Sequence, residues 1–310
     1  MINTGAKRQV NVSAALDKYP NKNRLNLSPY LYIGPHLILF GIFFLFPTLY
    51  GIYISFTNWD LIGEPEFVGM ANYTEILFNK DSTFYEQLRI GLGNTFKFVL
   101  YTVPACIIVP LLLAAALNTK PKGMTFFQAL FYMPTLFSVS AVMIVFSMLF
   151  SVSFGPINHY LNVDTNWLSN QPYAWITLVI VTVWWTIGAN MIIYQAALNG
   201  IPKDLYEAAS IDGANGVQKF FRITLPSIRA QLLYTVVITT IAQFNVYGQP
   251  LMLTKGGPTS STTVLLMYIQ ENAFGSGISI AGIGAAMAVV LGLCIMVVSA
   301  IQFFFLRQRD

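Results

Sequence analysis

The sequence predicts an all-α membrane protein with six transmembrane helices, and three observations carry that prediction. Only 17 basic and 13 acidic residues occur among 310, against roughly a quarter charged in an ordinary soluble domain. The charge-free positions are gathered into six long runs, 25–59, 98–119, 123–163, 165–202, 230–254 and 272–306. Each run can hold the roughly 20 apolar residues that cross a bilayer core. None shows the period-2 alternation of a membrane β-barrel. The same composition, 55% hydrophobic with a mean hydropathy of +0.60, excludes a disordered chain. The two cysteines, Cys106 and Cys294, exclude a disulfide scaffold or a four-cysteine metal site. A net charge of +4, thinly spread, argues against a nucleic-acid partner.

The spans follow in order. A polar tail, 1–28, precedes span 1 at 31–56, and the membrane domain then covers 29–307. Span 2 is placed at 94–118 and span 3 at 125–150, where Gly155-Pro156 makes a break beyond its end. Span 4 runs 173–197 after Gln171-Pro172, span 5 runs 230–250, and span 6 runs 279–305. No internal repeat or low-complexity tract is evident.

Orientation follows from the basic residues. Thirteen of the 17 fall on one side of this arrangement, in the N-terminal tail, the 2–3 link, the 4–5 loop and the C-terminus. Only Lys80, Arg89 and Lys255 fall on the other, with Lys97 inside span 2. Both termini are therefore expected in the cytoplasm. No small-residue cleavage site follows the first apolar run, so the tail is read as retained.

The 4–5 loop, 199–229, is the most informative segment. Pro202 and Asp204 suit the first turn of a helix, where a missing N–H costs nothing and negative charge favours the dipole. Leu205, Ala208, Ala209 and Asp212 have helical spacing, and Gly213 can end that helix with a positive φ. A second short helix is expected from Val217 to Leu225, with Pro226 starting the return to the membrane. Together these make a compact knob, given apolar bulk by Phe220 and Phe221. Such a knob either lies on the headgroups, which Lys219, Arg222 and the phenylalanines would suit, or docks a protein, which Glu207 and Asp212 favour.

These residues resemble a known motif. Glu207-Ala208-Ala209, Gly213 and Ile223-Thr224-Leu225-Pro226 are similar to the EAA motif in permease subunits of ATP-binding-cassette importers. The resemblance lies with the carbohydrate branch, of maltose and glycerol-phosphate permease type. It extends to Phe154-Gly155-Pro156-Ile157-Asn158, to Leu253-Thr254-Lys255-Gly256-Gly257-Pro258, and to Tyr268 and Ala273-Phe274. The chain departs from the maltose-type subunit in having six helices and no large external domain. The resemblance implies a type I importer permease in a bacterial or archaeal cytoplasmic membrane. It also implies a second homologous permease, a dimer of ATP-binding-cassette ATPases that bind the ATP and Mg, and an extracytoplasmic sugar-binding protein. This chain would hold no cofactor and would not itself be an enzyme. Glu207 would pair with a basic group in an ATPase cleft, and Ala208, Ala209, Asp212, Phe220, Phe221, Leu225 and Pro226 would complete the coupling surface around the Gly213 turn.

Sugar recognition needs aromatic faces and hydroxyl or amide groups inside a largely apolar pocket. Span 3 offers Thr135 and Ser138 around Pro134; span 4 offers Trp185, Thr186 and Asn190. Span 5 offers Thr239, Gln243 and Tyr247, which at i, i+4 spacing would share one helix face. By resemblance to the maltose-type permease, Thr135, Trp185, Thr186, Thr239 and Gln243 match sugar-contacting locations. The same polar groups can instead mediate helix packing, as they commonly do in membranes.

Other residues resolve more simply. Lys97 can snorkel to the headgroups, and the Gly282, Gly284, Ala285, Ala286 cluster permits close helix packing. No Gly-Lys-Ser/Thr phosphate loop, metal-ligand cluster or catalytic triad pattern appears. A stand-alone ion-coupled carrier would need buried carboxylates, and the six runs contain no Asp or Glu. A structural membrane subunit of an enzyme complex would have no use for an angled knob.

Overall fold

The computed structural model describes residues 28–275 and 280–306. The predicted tail therefore lies almost wholly outside the described residues, as do Arg307 and Arg309. By internal packing the chain divides into Met1–Tyr50 and Gly51–Asp310. Helix α1 begins as Ser28–Phe40, passes through a π turn at Gly41–Leu45 and continues as Phe46–Ile54. Within the first unit its aromatic side chains stack at i, i+4, with His36–Phe40 centroids 6.4 Å apart and Phe40–Phe44 centroids 5.0 Å apart.

The second unit opens with a two-stranded antiparallel ribbon, β1 (Thr57–Asn58) and β2 (Glu66–Phe67), followed by α2 (Ala71–Leu77). Asn72 fixes this corner by donating to the carbonyls of Ser55 and Thr57. Helix α3 (Thr83–Asn118) begins well before the predicted start of span 2 at 94. Ser82 caps it by accepting from the Phe84 amide at 3.1 Å, and Glu86 stands in the first turn, where the dipole favours it. At 1.5 Å per residue its 36 residues extend about 54 Å. That exceeds the roughly 30 Å of a hydrocarbon core, so one end of α3 stands outside it.

Span 3 is not one helix. It comprises α4 (Met124–Tyr132), a 3₁₀ turn (Met133–Leu136) and α5 (Val139–Leu149), with the two arms bent by 101°. Pro134 lacks an amide to continue the ladder. Phe137 and Ser138 are extended, and the Ser138 hydroxyl accepts from the Ala141 amide to start α5. Helix α6 (Pro156–Leu161) then lies in the 3–4 connection, and α7 (Tyr173–Asn199) matches span 4. The 4–5 loop holds α8 (Lys203–Ile211) and α9 (Gly216–Ser227).

Helix α10 (Arg229–Phe244) is shorter than the predicted span 5, 230–250. Asn245 stops it, its side chain donating back to the Ile241 carbonyl at 2.8 Å. A π turn (Pro250–Thr254), helix α11 (Leu265–Phe274) and helix α12 (Ala281–Leu306) complete the chain. Among the described residues, four helices are long and apolar enough to cross a membrane, or six if each bent pair forms one span.

Helix α3 is the spine. Phe98 and Cys106 are buried along it, and it packs against α7, α10 and α11. In one half, Asn94 donates to the carbonyls of Ser260 and Thr263, and Thr95 accepts from the Leu265 amide. These bonds clasp the loop before α11. At the other end, a cluster built on Leu117, Tyr194, Leu198, Ile201 and Ile228 joins α3, α7 and the start of α10.

Candidate functional site

The knob is built by local rules. Helix α8 ends in a paired turn in which the Ala214 amide donates to Ala209 and the Gly213 amide to Ser210, at 2.9 and 3.1 Å. That pattern needs a left-handed residue at Gly213, whose φ is +77°. Asn215 and Gln218 then form a reciprocal capping box that starts α9. The two helices are tied by Tyr206 to Thr224 at 2.8 Å and by Lys219 to Ser210 at 2.6 Å. Tyr206, Phe220 and Leu225 pack onto the cluster at the ends of α7 and α10.

Two expectations about this loop need correction. Pro226 lies inside α9 and does not end it. It follows a π turn over Phe220–Thr224, closed by the Leu225 amide on Phe220, and stands in the last turn of the helix. The chain turns instead at Ile228, where α9 and α10 are bent by 72°. Second, the two phenylalanines are unlike: Phe220 is half-buried in the anchoring cluster, whereas Phe221 is 61% exposed. Glu207, Ala208, Asp212 and Pro226 are exposed, and Ala209 is half-buried. Ile211 and Val217 add apolar surface, 88% and 67% exposed. Tyr206, Asn215 and the motif residue Thr224 carry the knob's internal structure, and sequence reasoning misses Tyr206 and Asn215. The Asn-x-x-Gln spacing of 215–218 was the available signal for the cap.

The proposed path residues fall into two groups. Trp185 donates its indole N–H to the Phe137 carbonyl at 3.1 Å, occupying a backbone acceptor that the break in span 3 leaves free. This places Trp185 beside Thr135 and Ser138 at the bend. The Thr135 hydroxyl bonds its own helix at the Tyr132 carbonyl, and Ser138 is occupied as a cap. Gly188 allows the approach: a Cβ there would sit 2.7 Å from the Tyr132 Cα and 2.9 Å from the Phe131 carbonyl oxygen.

The second group forms a polar seam between helices. Asn190 donates to the Cys106 carbonyl of α3 at 2.9 Å and to the Thr239 hydroxyl of α10 at 3.0 Å. Thr186 meets the Cys106 sulfur at 3.4 Å. One turn further along α7, Tyr194 and Thr235 are 2.7 Å apart and buried. Gln128 of α4 donates to Gln195 Oε1 at 3.1 Å, leaving Gln195 Nε2 buried without a partner among the described residues. Gln243 is buried one turn beyond Thr239. Tyr247 lies past the end of α10, so the helical stripe expected through Thr239, Gln243 and Tyr247 stops at Gln243. Cys106 and Tyr194 gain their roles only from packing, across separations of 80 residues and more in the first case and 41 in the second.

A bundle of apolar helices with a polar seam inside, a broken span and an anchored knob outside the membrane helices is the design of a membrane-embedded transport subunit. The sequence profile of binding-protein-dependent transport system inner membrane components matches residues 91–309, and the chain belongs to that family. It is an integral membrane permease. The probable ABC transporter permease protein YesP of Bacillus subtilis (strain 168) is 33% identical over 301 residues, covering 94% of each chain. The arabinooligosaccharides transport system permease protein AraP of the same organism is 33% identical, covering 89% of this chain and 87% of that one. Among solved structures, a bacterial alginate ABC transporter in complex with an alginate pentasaccharide-bound periplasmic protein matches with a TM-score of 0.74. It shares 22% identity and covers 90% of this chain and 93% of that one, which shows the shared fold.

Proposed function

We propose that this chain forms one half of the translocation path of an ATP-driven, binding-protein-dependent importer of a sugar or oligosaccharide. A second, homologous permease forms the other half, and an extracytoplasmic sugar-binding protein delivers the cargo. A pair of ATPase subunits binds ATP and Mg and receives the knob. The subunit lies in a bacterial or archaeal cytoplasmic membrane with both termini inside, as the bias of basic residues predicts. The oligosaccharide specificity named for AraP and the alginate complex support the sugar assignment.

The observation that carries the coupling role is the form of the knob. Exposed Glu207 and Asp212 share it with exposed Ile211, Val217 and Phe221, while Phe220 and Leu225 anchor it. An acidic group beside apolar surface on a fixed support suits a protein cleft with a basic residue. Thr135, Trp185, Thr186, Gln243 and Tyr247 remain the proposed saccharide-facing groups. Asn190 and Thr239 have a structural use already.

Glu207→Lys tests the reading. The variant should insert and fold, because Glu207 is exposed, yet lose substrate-stimulated ATP hydrolysis in the reconstituted transporter. Wild-type stimulation would remove the knob from the coupling path.

A further inference from the structure

We infer that the saccharide carried along this subunit is uncharged, and that sugar acids and sugar phosphates are excluded. This rests on reading the chain as a sugar-importer subunit and narrows its substrate class.

The first ground is the charge of the wall. Runs 123–163, 165–202 and 230–254 contain no Lys, Arg, Asp or Glu, and they include α4, α5, α7 and nearly all of α10. Lys97 of α3 is exposed and nine residues from Cys106, about 13 Å along the helix axis. The groups on offer are the rings of Trp185 and Tyr247, the Gln243 amide, and the oxygens of Thr135 and Thr186 as acceptors, their protons being given to the Tyr132 and Thr182 carbonyls. They suit the C–H faces and hydroxyls of a neutral pyranose or furanose. A carboxylate or phosphate needs charge-assisted donors. Without them, removing it from water is strongly unfavourable.

The second ground is the face bearing the 1–2, 3–4 and 5–6 connections. It carries eight acidic residues, six of them between Asp60 and Glu86, against Lys80, Arg89, Lys97 and Lys255. Asn79 and Ser82, by hydrogen bonding, hold the Glu75 carboxyl below the ordinary carboxylate range, so it stays ionised. A net negative entrance repels anions before they reach the wall. The alginate transporter, whose cargo is described as an acidic polysaccharide, shares this fold. The fold itself therefore does not bar an acidic saccharide, and the exclusion inferred here rests on side chains.

The test uses the complete transporter, with its partner permease, ATPases and binding protein, in vesicles. Neutral gluco- and arabino-oligosaccharides are compared with uronate oligosaccharides of equal length and with a sugar phosphate, by uptake and by stimulated ATP hydrolysis. Tryptophan fluorescence of the assembled membrane complex without binding protein, titrated with the same compounds, isolates the permeases' own preference. The expected result is saturable binding and uptake of a neutral saccharide, with every anionic one at least tenfold weaker in both measurements. An anionic saccharide within tenfold of the best neutral one in either measurement overturns the inference and leaves the sugar-importer reading intact. Stimulation by a peptide or amino acid, with no saccharide of either kind active, overturns both.

Discussion

Asn190→Leu separates a packing role from a substrate role at the centre of the bundle. The asparagine amide makes two bonds, to the Cys106 carbonyl at 2.9 Å and to the Thr239 hydroxyl at 3.0 Å, and leucine keeps the same branched side-chain skeleton without a donor. Side-chain hydrogen bonds inside membrane proteins average about 0.6 kcal/mol, with a maximum near 1.7. Losing two therefore costs about 1.2 kcal/mol, and about 3.4 at the upper limit. The lower figure is roughly an eightfold change in the unfolding equilibrium. Reversible unfolding of the purified subunit in mild detergent measures it. A double-mutant cycle with Thr239→Val should recover about 0.6 kcal/mol of coupling, the share of one bond. Saccharide affinity of the assembled transporter should stay within about twofold, a difference below 0.5 kcal/mol. Zero coupling in the cycle, or unchanged stability with abolished saccharide binding, would refute the view that Asn190 is a tie between α3, α7 and α10.

Two further perturbations probe the hinge points. Gly188→Val should force α7 away from the bend at Tyr132, where even a single added carbon would meet backbone atoms at 2.7 and 2.9 Å. Overpacking of this kind costs about 1–3 kcal/mol, read as a lower melting temperature together with impaired uptake; an unaltered melt would mean the two segments pack less closely than described. Gly213→Val meets no neighbour within 4 Å but must hold φ +77°, a region costing an L-residue about 1–2 kcal/mol. ATP hydrolysis by the transporter assembled with it should lose substrate stimulation, while Gly213→Asn, a residue tolerant of that region, retains it; equal activity of the two would show that the turn is not required.

The sequence made the membrane spans legible because a bilayer leaves little choice: charge-free runs of sufficient length have few other uses. It made the knob legible because its signals are local, a proline at a helix start and a glycine past a helix end. The bend in span 3 was only half legible. Pro134 and Ser138 both stand out in the sequence, but a proline in a membrane helix produces anything from a slight kink to a full break. Here the extended Phe137 is supported by an indole 48 residues away, which no local pattern announces. The early start of α3 went unseen because hydropathy falls where the helix leaves the membrane, while its Ser82 cap does not depend on hydropathy. The misplaced end of the knob had a similar cause. Pro226 normally marks a boundary, and the π turn that absorbs it is a backbone adjustment without a sequence signature.

The position of the seam relative to the knob bears on how movement would pass between them. Tyr206, Phe220 and Leu225 do not rest on one helix: the cluster beneath them joins Leu198 and Ile201, at the end of α7, to Ile228, at the start of α10. A force on the knob therefore reaches two membrane helices at once. Those two helices are joined again by Tyr194 to Thr235, four residues from Leu198, and once more by Asn190 to Thr239. Successive ties at four-residue spacing lie on one face of each helix, so α7 and α10 are held against sliding past each other. Displacement at the knob would then move the pair as a unit, carrying Trp185 on α7 and Gln243 on α10 together. Trp185 is bonded to the free carbonyl at the bend of span 3, so motion of that pair must either drag the bend with it or break that bond. A two-state response needs contacts that differ between its states, and this hydrogen bond is the contact along the route whose rupture would expose a backbone acceptor at the proposed saccharide wall.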